Sequence, residues 1–271
     1  MMKLSYTYAT PDTHAKNMLA YRGEIEPTFQ RLRELGYEGV ELMLRAAHEL
    51  DPVVIEKACL NTGLQVCSVS TGQMRVEDGL NLSDLDETNR KKTVKRAIDV
   101  IQFAGFFRTQ VNVGTLRGRL PDGHVAEAKA AAAESFNELL PIAKKQGINI
   151  AIEPQNRYTI NWLNNVPETL EWTAQFKYKN LKILFDAYHW LLEEQSIYAS
   201  LVRSWSNITH VQVSDSNRDA PGTGQINFVE LIAVLKALGY EGFISIEARQ
   251  IPDSYTVAKK SADFLLPLIM N

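Results

Sequence analysis

The chain has 271 residues, of which 45% are hydrophobic and 23% are charged, and its formal net charge is −3. This balance excludes a basic surface for nucleic acid, and the sequence contains no apolar run of about 18 residues that would predict a membrane span. Two cysteines outside any metal or redox motif, and a start that lacks a signal peptide, predict a cytoplasmic protein without a membrane partner.

Short apolar segments alternate with helical patterns along the whole chain. Strands are predicted near residues 3–8, 39–44, 64–70, 108–113, 148–153, 181–186, 208–214 and 243–247. Polar residues typical of helix starts lie between them, at Asp51, Asp86, Asp122, Asn227 and Asp253. Eight strand–helix units predict an α/β fold, a (β/α)8 TIM barrel, as a single domain over residues 1–271. The alternative, an open doubly wound sheet, would need a glycine-rich phosphate loop after an early strand, which the sequence lacks.

Four polar residues end successive strands in the second half of the chain: Glu153, Asp186, Gln212 and Glu247. Because side chains alternate along a strand, the apolar residues of these strands define an outward face, and all four polar residues fall on the inward one. Polar residues also end strands simply because the strand leaves the core, but four matched residues on adjacent strands favour a shared site. We therefore predict that three carboxylates and an amide converge on one cation at the C-terminal mouth. His210, one layer deeper, is predicted to have a structural role.

The segments around these residues resemble a known family. They read IEPQNRY at 152–158, FDAYH at 185–189, VQVSDSNR at 211–218, PGTGQINF at 221–228 and GFISIE at 242–247. In these segments the chain is similar to the xylose-isomerase-like TIM-barrel sugar isomerases and epimerases. That family includes ketose 3-epimerases, keto-glycoside epimerases and hydroxypyruvate isomerase.

The resemblance implies a role for each of six residues. The divalent cation would be held by Glu153, Asp186, Gln212 and Glu247. The two glutamates would also be the catalytic acid/base groups, and His189 and Arg218 would bind the substrate. The sequence departs from the family at Gln212, where a histidine ligand is usual, and at Thr159, where ketose 3-epimerases carry an acid.

The predicted ligands indicate the metal and the chemistry. Oxygen ligands favour Mn²⁺ or Mg²⁺, with Co²⁺ as a further candidate. A glutamate would remove the proton next to the carbonyl of a keto-sugar or keto-glycoside, through an enediolate that the metal stabilises. Returning the proton would complete an isomerisation or an epimerisation. The resemblance also implies a homo-oligomer, either a dimer or a tetramer.

Two other activities stay open at this point. A metal-dependent lyase would use the same bases to eliminate the aglycone from a 3-keto-glycoside. An abasic-site endonuclease-like phosphodiesterase would need several metal-binding histidines, and the third and fourth predicted strands end without any. Together with the acidic charge balance, this predicts that nucleic acid is not a partner.

Overall fold

The computed structural model describes residues 1–270. Within them, parallel strands close into a barrel in which each strand pairs with its neighbours in sequence and the last pairs with the first. The strands are β1 Lys3–Ala9, β2 Gly39–Met43, β3 Gln65–Ser70, β4 Gln110–Val113, β5 Ile150–Ile152, β6 Leu181–Asp186, β7 Ile208–Val213 and β8 Phe243–Ile246. Seven of the strands lie within their predicted segments, and β1 extends one residue beyond its segment, to Ala9. The predicted (β/α)8 TIM barrel is therefore confirmed.

Helices surround the barrel and pack against its outer face. They are α1 Ile25–Glu34, α2 Pro52–Thr62, α3 Gly72–Asp78, α4 Glu87–Phe106, α5 Val125–Lys145, α6 Val166–Ala174, α7 Ala187–Glu193, α8 Ile197–Ser204, α9 Phe228–Ala237 and α10 Ser254–Met270. Among the helices of residues 1–270, none combines the length and the apolar character that crossing a membrane would require.

Most predicted helix starts are confirmed by their capping hydrogen bonds. The Asp51 carboxylate accepts the Val53 N–H, the Asn227 side chain accepts the Glu230 N–H, and both helices begin at the next residue. The start predicted from Asp122 is wrong by two residues, since the capping position is occupied by His124 instead. Gly123 has a φ of 79°, a left-handed conformation that a right-handed helix excludes, so α5 begins only at Val125.

The predicted alternation of side chains holds in the strands that carry the site. Outward residues such as Ile152 and Ile246 are buried in the hydrophobic core between the barrel and its helices. The inner face is polar. The Ser5 and Ser245 hydroxyls lie 2.6 Å apart across the β1–β8 pair, and His210 contacts side chains of the opposite strands. Polar side chains in the barrel interior can therefore hydrogen-bond to charged groups at its C-terminal mouth.

Candidate metal and acid/base site

The four predicted ligands lie at the C-terminal mouth of the barrel. Glu153 follows β5, Asp186 ends β6, Gln212 lies in β7 and Glu247 follows β8. Asp186 is paired in register with Gln212, which is paired in turn with Ser245, two residues before Glu247. All four residues are at most 9% exposed. Three carboxylates are thus buried at one end of the barrel.

Two of these carboxylates form a compact cluster with His189. One ligand atom from each of Glu153, Asp186 and His189 lies within 4.8 Å of the others, a grouping that could hold a metal ion. Glu247 joins the cluster through Arg218, whose guanidinium donates to Asp186 Oδ2 at 2.8 Å and also to Glu247 Oε2. The structure therefore brings five of the six predicted site residues into one connected group.

Gln212, the sixth, is paired in register with Asp186, but its side-chain amide contacts the polar interior of the barrel. Its Nε2 donates to the Glu41 carboxylate at 2.7 Å. Its Oε1 is buried and has no hydrogen-bond partner among the described residues. Among the predicted ligands, Glu153 Oε1 is also buried without a partner, while its neighbour Oε2 accepts from Gln155 Nε2 at 2.8 Å. An unsatisfied buried acceptor costs about 1–3 kcal/mol, so both oxygens suit a positively charged ligand.

The electrostatics of the mouth also suit a cation. Burial raises the pKa of Glu153 well above its usual range, and the charges of Glu247 and Asp186 add to the rise. Burial raises the pKa of Glu247 to about 7 against the opposing charge of Arg218. The site is therefore short of positive charge. Because its free donor atoms are hard oxygens, the residues fit Mn²⁺ or Mg²⁺.

His189 is held as a hydrogen-bond donor to the site. The backbone N–H of Asn156 donates to its Nδ1 at 3.2 Å, so Nδ1 is an acceptor and the ring proton is on Nε2. Burial lowers the pKa of His189 to about 3, which keeps the ring neutral. Nε2 lies 3.4 Å from Glu153 Oε1 without the alignment of a hydrogen bond. A protonated nitrogen does not ligate a metal, which agrees with the predicted substrate-binding role.

Arg218 is fixed by the loop after β7. The fully buried Asp215 carboxylate accepts the backbone N–H groups of Ser216, Gly222 and Ile226 and so organises this loop. Arg218 itself has a φ of 63°, and its guanidinium stacks 4.8 Å from the ring centroid of Tyr188. The arginine therefore neutralises two predicted ligands while it faces the mouth.

Arg117, which the sequence did not indicate as a site residue, holds the loop that carries Glu153. This fully buried guanidinium donates to the carbonyl oxygens of Glu153 at 2.9 Å and Gly114 at 2.8 Å. It also donates to the carbonyls of Trp162 and Leu163. Arg119, two residues later, is exposed, and nothing in the local sequence distinguishes the two arginines.

Glu41 was also missed, although the sequence carries a signal for it. It lies in the apolar strand GVELM, on the same inward face as the predicted ligands. Its carboxylate accepts from His210 Nε2 at 2.8 Å, Asn112 Nδ2 at 2.9 Å, Gln212 Nε2 and the Ser70 hydroxyl. We call these five residues the Glu41 network. The predicted structural role of His210 agrees with its place in this network.

A cleft of about 460 Å³ lies at the rim of the same end of the barrel. It is formed by the loops that follow β1 and β8, with Lys16 and Met18 on one side and Arg249 and Ile251 on the other. Because β1 and β8 are neighbours, the cleft adjoins the strand that carries Glu247.

The chain is similar in sequence and in fold to several sugar epimerases. The chain is 26% identical over 227 residues to a ketose 3-epimerase of Arthrobacter globiformis, covering 83% of this chain and 77% of that protein. It is 25% identical over 250 residues to a 3-dehydro-D-guloside 4-epimerase of Escherichia coli, covering 86% and 90%. The crystal structure of a 3-keto-D-glucoside 4-epimerase from E. coli, in its apo form, superposes with a TM-score of 0.81 at 20% identity, over 100% of both chains.

The names of these relatives agree with the predicted class of enzyme, a sugar isomerase or epimerase. The low identity to the solved structure restricts that likeness to the fold. The family model described as "Xylose isomerase-like TIM barrel" matches residues 29–268, most of the chain. The chain therefore belongs to the xylose isomerase-like TIM barrel family.

Proposed function

We propose that this protein is a divalent-metal-dependent sugar isomerase or epimerase that removes a proton next to the carbonyl of a keto-sugar or keto-glycoside. One observation carries the proposal. Glu153, Asp186 and Glu247 are buried together beside a neutral histidine donor, with the free oxygens of Glu153 and Gln212 in the same mouth. The names of the relatives support the substrate class, since they act on ketoses and on a keto-glycoside.

Glu153, Asp186, Gln212 and Glu247 would hold the cation, either Mn²⁺ or Mg²⁺. When bound, the cation would polarise the substrate carbonyl and lower the pKa of the neighbouring C–H. The chain supplies the remaining steps from its own side chains.

Glu153 and Glu247 are proposed as the acid/base pair. They follow β5 and β8, so they approach the mouth from different strands of the barrel. One glutamate would take the proton from the carbon next to the carbonyl. Return of a proton to the opposite face of the same carbon gives an epimer, and its return to the neighbouring carbon gives an isomer.

His189 and Arg218 are proposed to bind substrate oxygens. The Nε2 of His189, which carries the ring proton, lies 3.4 Å from Glu153 Oε1, where it can donate to a substrate oxygen near the reacting carbon. Arg218 already donates to Asp186 and Glu247, so it would hold the substrate and limit the repulsion between the two carboxylates.

Two features favour a keto-glycoside over a free ketose. Thr159 stands where the resemblance places a substrate-binding acid in ketose 3-epimerases, and it is exposed and bonded to Asn156. The cleft of about 460 Å³ between the loops after β1 and β8 offers space for an aglycone or a second ring. Elimination of that aglycone by the same proton abstraction is the second candidate function. Assays with 3-keto-glycosides separate the two, because only the lyase releases free aglycone.

Turnover in D₂O tests the mechanism. Proton abstraction by a glutamate exchanges the substrate hydrogen with solvent, so the product should carry deuterium at the reacting carbon, as measured by NMR or mass spectrometry. Glu153→Gln should slow both turnover and the exchange of this hydrogen by about 10²–10⁴-fold. Complete retention of the substrate hydrogen in the product would indicate a hydride shift between carbons and contradict the two-glutamate mechanism.

A further inference from the structure

The side-chain amide of Gln212 has two ends, and only one of them can bind a cation. Its carbonyl oxygen is an acceptor, while its NH₂ group is a donor that a cation would repel. A glutamine ligand therefore needs a neighbour that sets its orientation.

Glu41 is placed to be that neighbour. The Glu41 Oε1 to Gln212 Nε2 distance is 2.7 Å, and an ionised carboxylate only accepts hydrogen bonds. If the amide turned over, its oxygen would lie against the carboxylate, and two acceptors at this distance repel each other. In the orientation observed, the NH₂ end is used by Glu41, and Oε1 is left buried without a partner in residues 1–270.

The Glu41 carboxylate is itself held rigidly. It is fully buried, and it accepts hydrogen bonds from Ser70, Asn112 and His210 as well as from Gln212. β2 and β7 are not adjacent in the barrel, so the Glu41–Gln212 contact crosses its interior.

We infer that Glu41 is a positioning residue, which holds the Gln212 amide so that its oxygen, and not its NH₂ group, faces the candidate cation. The inference rests on the proposed function, because it assumes that a divalent cation binds at the mouth. It adds a residue that no predicted ligand set contained. Groups that orient a metal ligand from behind change metal affinity by about 10–100-fold when they are mutated.

The test is the dissociation constant of Mn²⁺, measured by electron paramagnetic resonance on the full chain without substrate. Glu41→Gln should weaken Mn²⁺ binding about 10–100-fold, because two amides can pair in either orientation and Gln212 is no longer fixed. Glu127→Gln is the matched control. It makes the same change at an exposed glutamate on α5, so it should leave the dissociation constant within about twofold.

A double-mutant cycle separates positioning from charge. In the Gln212→Ala background, Glu41→Gln should weaken Mn²⁺ binding by less than about twofold further, because the amide to be oriented is gone. An equal loss in both backgrounds would show that Glu41 acts by its charge, and the inference would be overturned. Glu41→Asp keeps the charge but shortens the reach by one methylene, so it should also weaken binding, and full affinity in this variant would equally overturn the inference.

Different experimental results would contradict the inference and the proposed function. A wild-type protein that binds no divalent cation would refute the proposed function. If the wild-type protein binds Mn²⁺ and turns over substrate while Gln212→Ala keeps the wild-type dissociation constant, the inference alone is wrong.

Discussion

Two buried glutamates in this barrel, Glu41 in the interior and Glu153 at the mouth, differ in what surrounds them. Glu41 accepts hydrogen bonds from four side chains, and its pKa is held at about 2. Glu153 accepts one side-chain hydrogen bond within the described residues, lies near two other acids, and has a pKa raised well above its usual range. Both residues are less than a tenth exposed.

Burial of a carboxylate is therefore not by itself a sign of function. A satisfied carboxylate stabilises the fold, whereas one that is left short of partners is costly and is kept for what it can bind or do. This contrast predicts that substitutions at the mouth will mainly reduce activity, whereas substitution of Glu41 in the interior will mainly reduce stability.

The largest expected effect is on turnover. Glu153→Gln and Glu247→Gln should each lower kcat by about 10²–10⁴-fold, because the neutral amide cannot transfer the proton. In Glu153→Gln the free energy of unfolding should stay the same or rise, since the change removes a buried carboxylate that has few partners and that Glu247 and Asp186 repel. Steady-state kinetics and urea denaturation measure the two quantities. Glu127→Gln, an exposed glutamate on α5, is the control and should change neither.

Glu41→Ala should instead lower the free energy of unfolding. The change leaves four donors and a cavity in the barrel interior, and breaking a buried pair of this kind costs about 3–5 kcal/mol. Urea denaturation of Glu41→Ala and Glu153→Gln under the same conditions compares the effect of each substitution on the free energy of unfolding. A loss below about 1 kcal/mol would show that the Glu41 network contributes little to the fold.

Addition of metal should stabilise the mouth. At a Mn²⁺ concentration about 100 times its dissociation constant, the free energy of unfolding should rise by about 2.7 kcal/mol, and a chelator should reverse the gain. Asp186→Asn should reduce the gain, since it removes the charge of a predicted ligand. Thermal unfolding with and without Mn²⁺ is the measurement, and an unchanged melting temperature in the wild-type protein would argue against a metal site.

The smallest effect is expected at His189. His189→Ala should raise KM about tenfold with little change in kcat, the loss of one hydrogen bond of about 1–1.5 kcal/mol to the substrate. The dissociation constant of Mn²⁺ should not change, because Nε2 carries the ring proton. Loss of Mn²⁺ binding in this variant would instead identify His189 as a ligand, an arrangement that its 4.8 Å cluster with Glu153 and Asp186 would also permit.

Much of the fold could be predicted from the sequence because it depends on local periodicity. The strand positions, the caps at Asp51 and Asn227, and the inward face of the site strands all follow from the pattern of apolar residues and from polar helix starts. The start of α5 could not be predicted from Asp122, because the conformation of Gly123 decides it.

The candidate site could also be predicted only in part from the sequence. Its strand-end residues, Glu153, Asp186, Gln212 and Glu247, were found because alternation and strand order place them at one mouth, and the same rule would have found Glu41. Their ligand and acid/base roles stay predictions.

Only the tertiary structure decided how these groups are held. Arg117 acts on Glu153 from 36 residues away in sequence, and the N–H of Asn156 selects the tautomer of His189 from a different loop. Gln212 is oriented by Glu41 from a strand that is not its neighbour. Sequence periodicity determines which face a side chain occupies, but hydrogen-bond orientation and charge balance depend on contacts between distant segments, and these exist only once the barrel has closed.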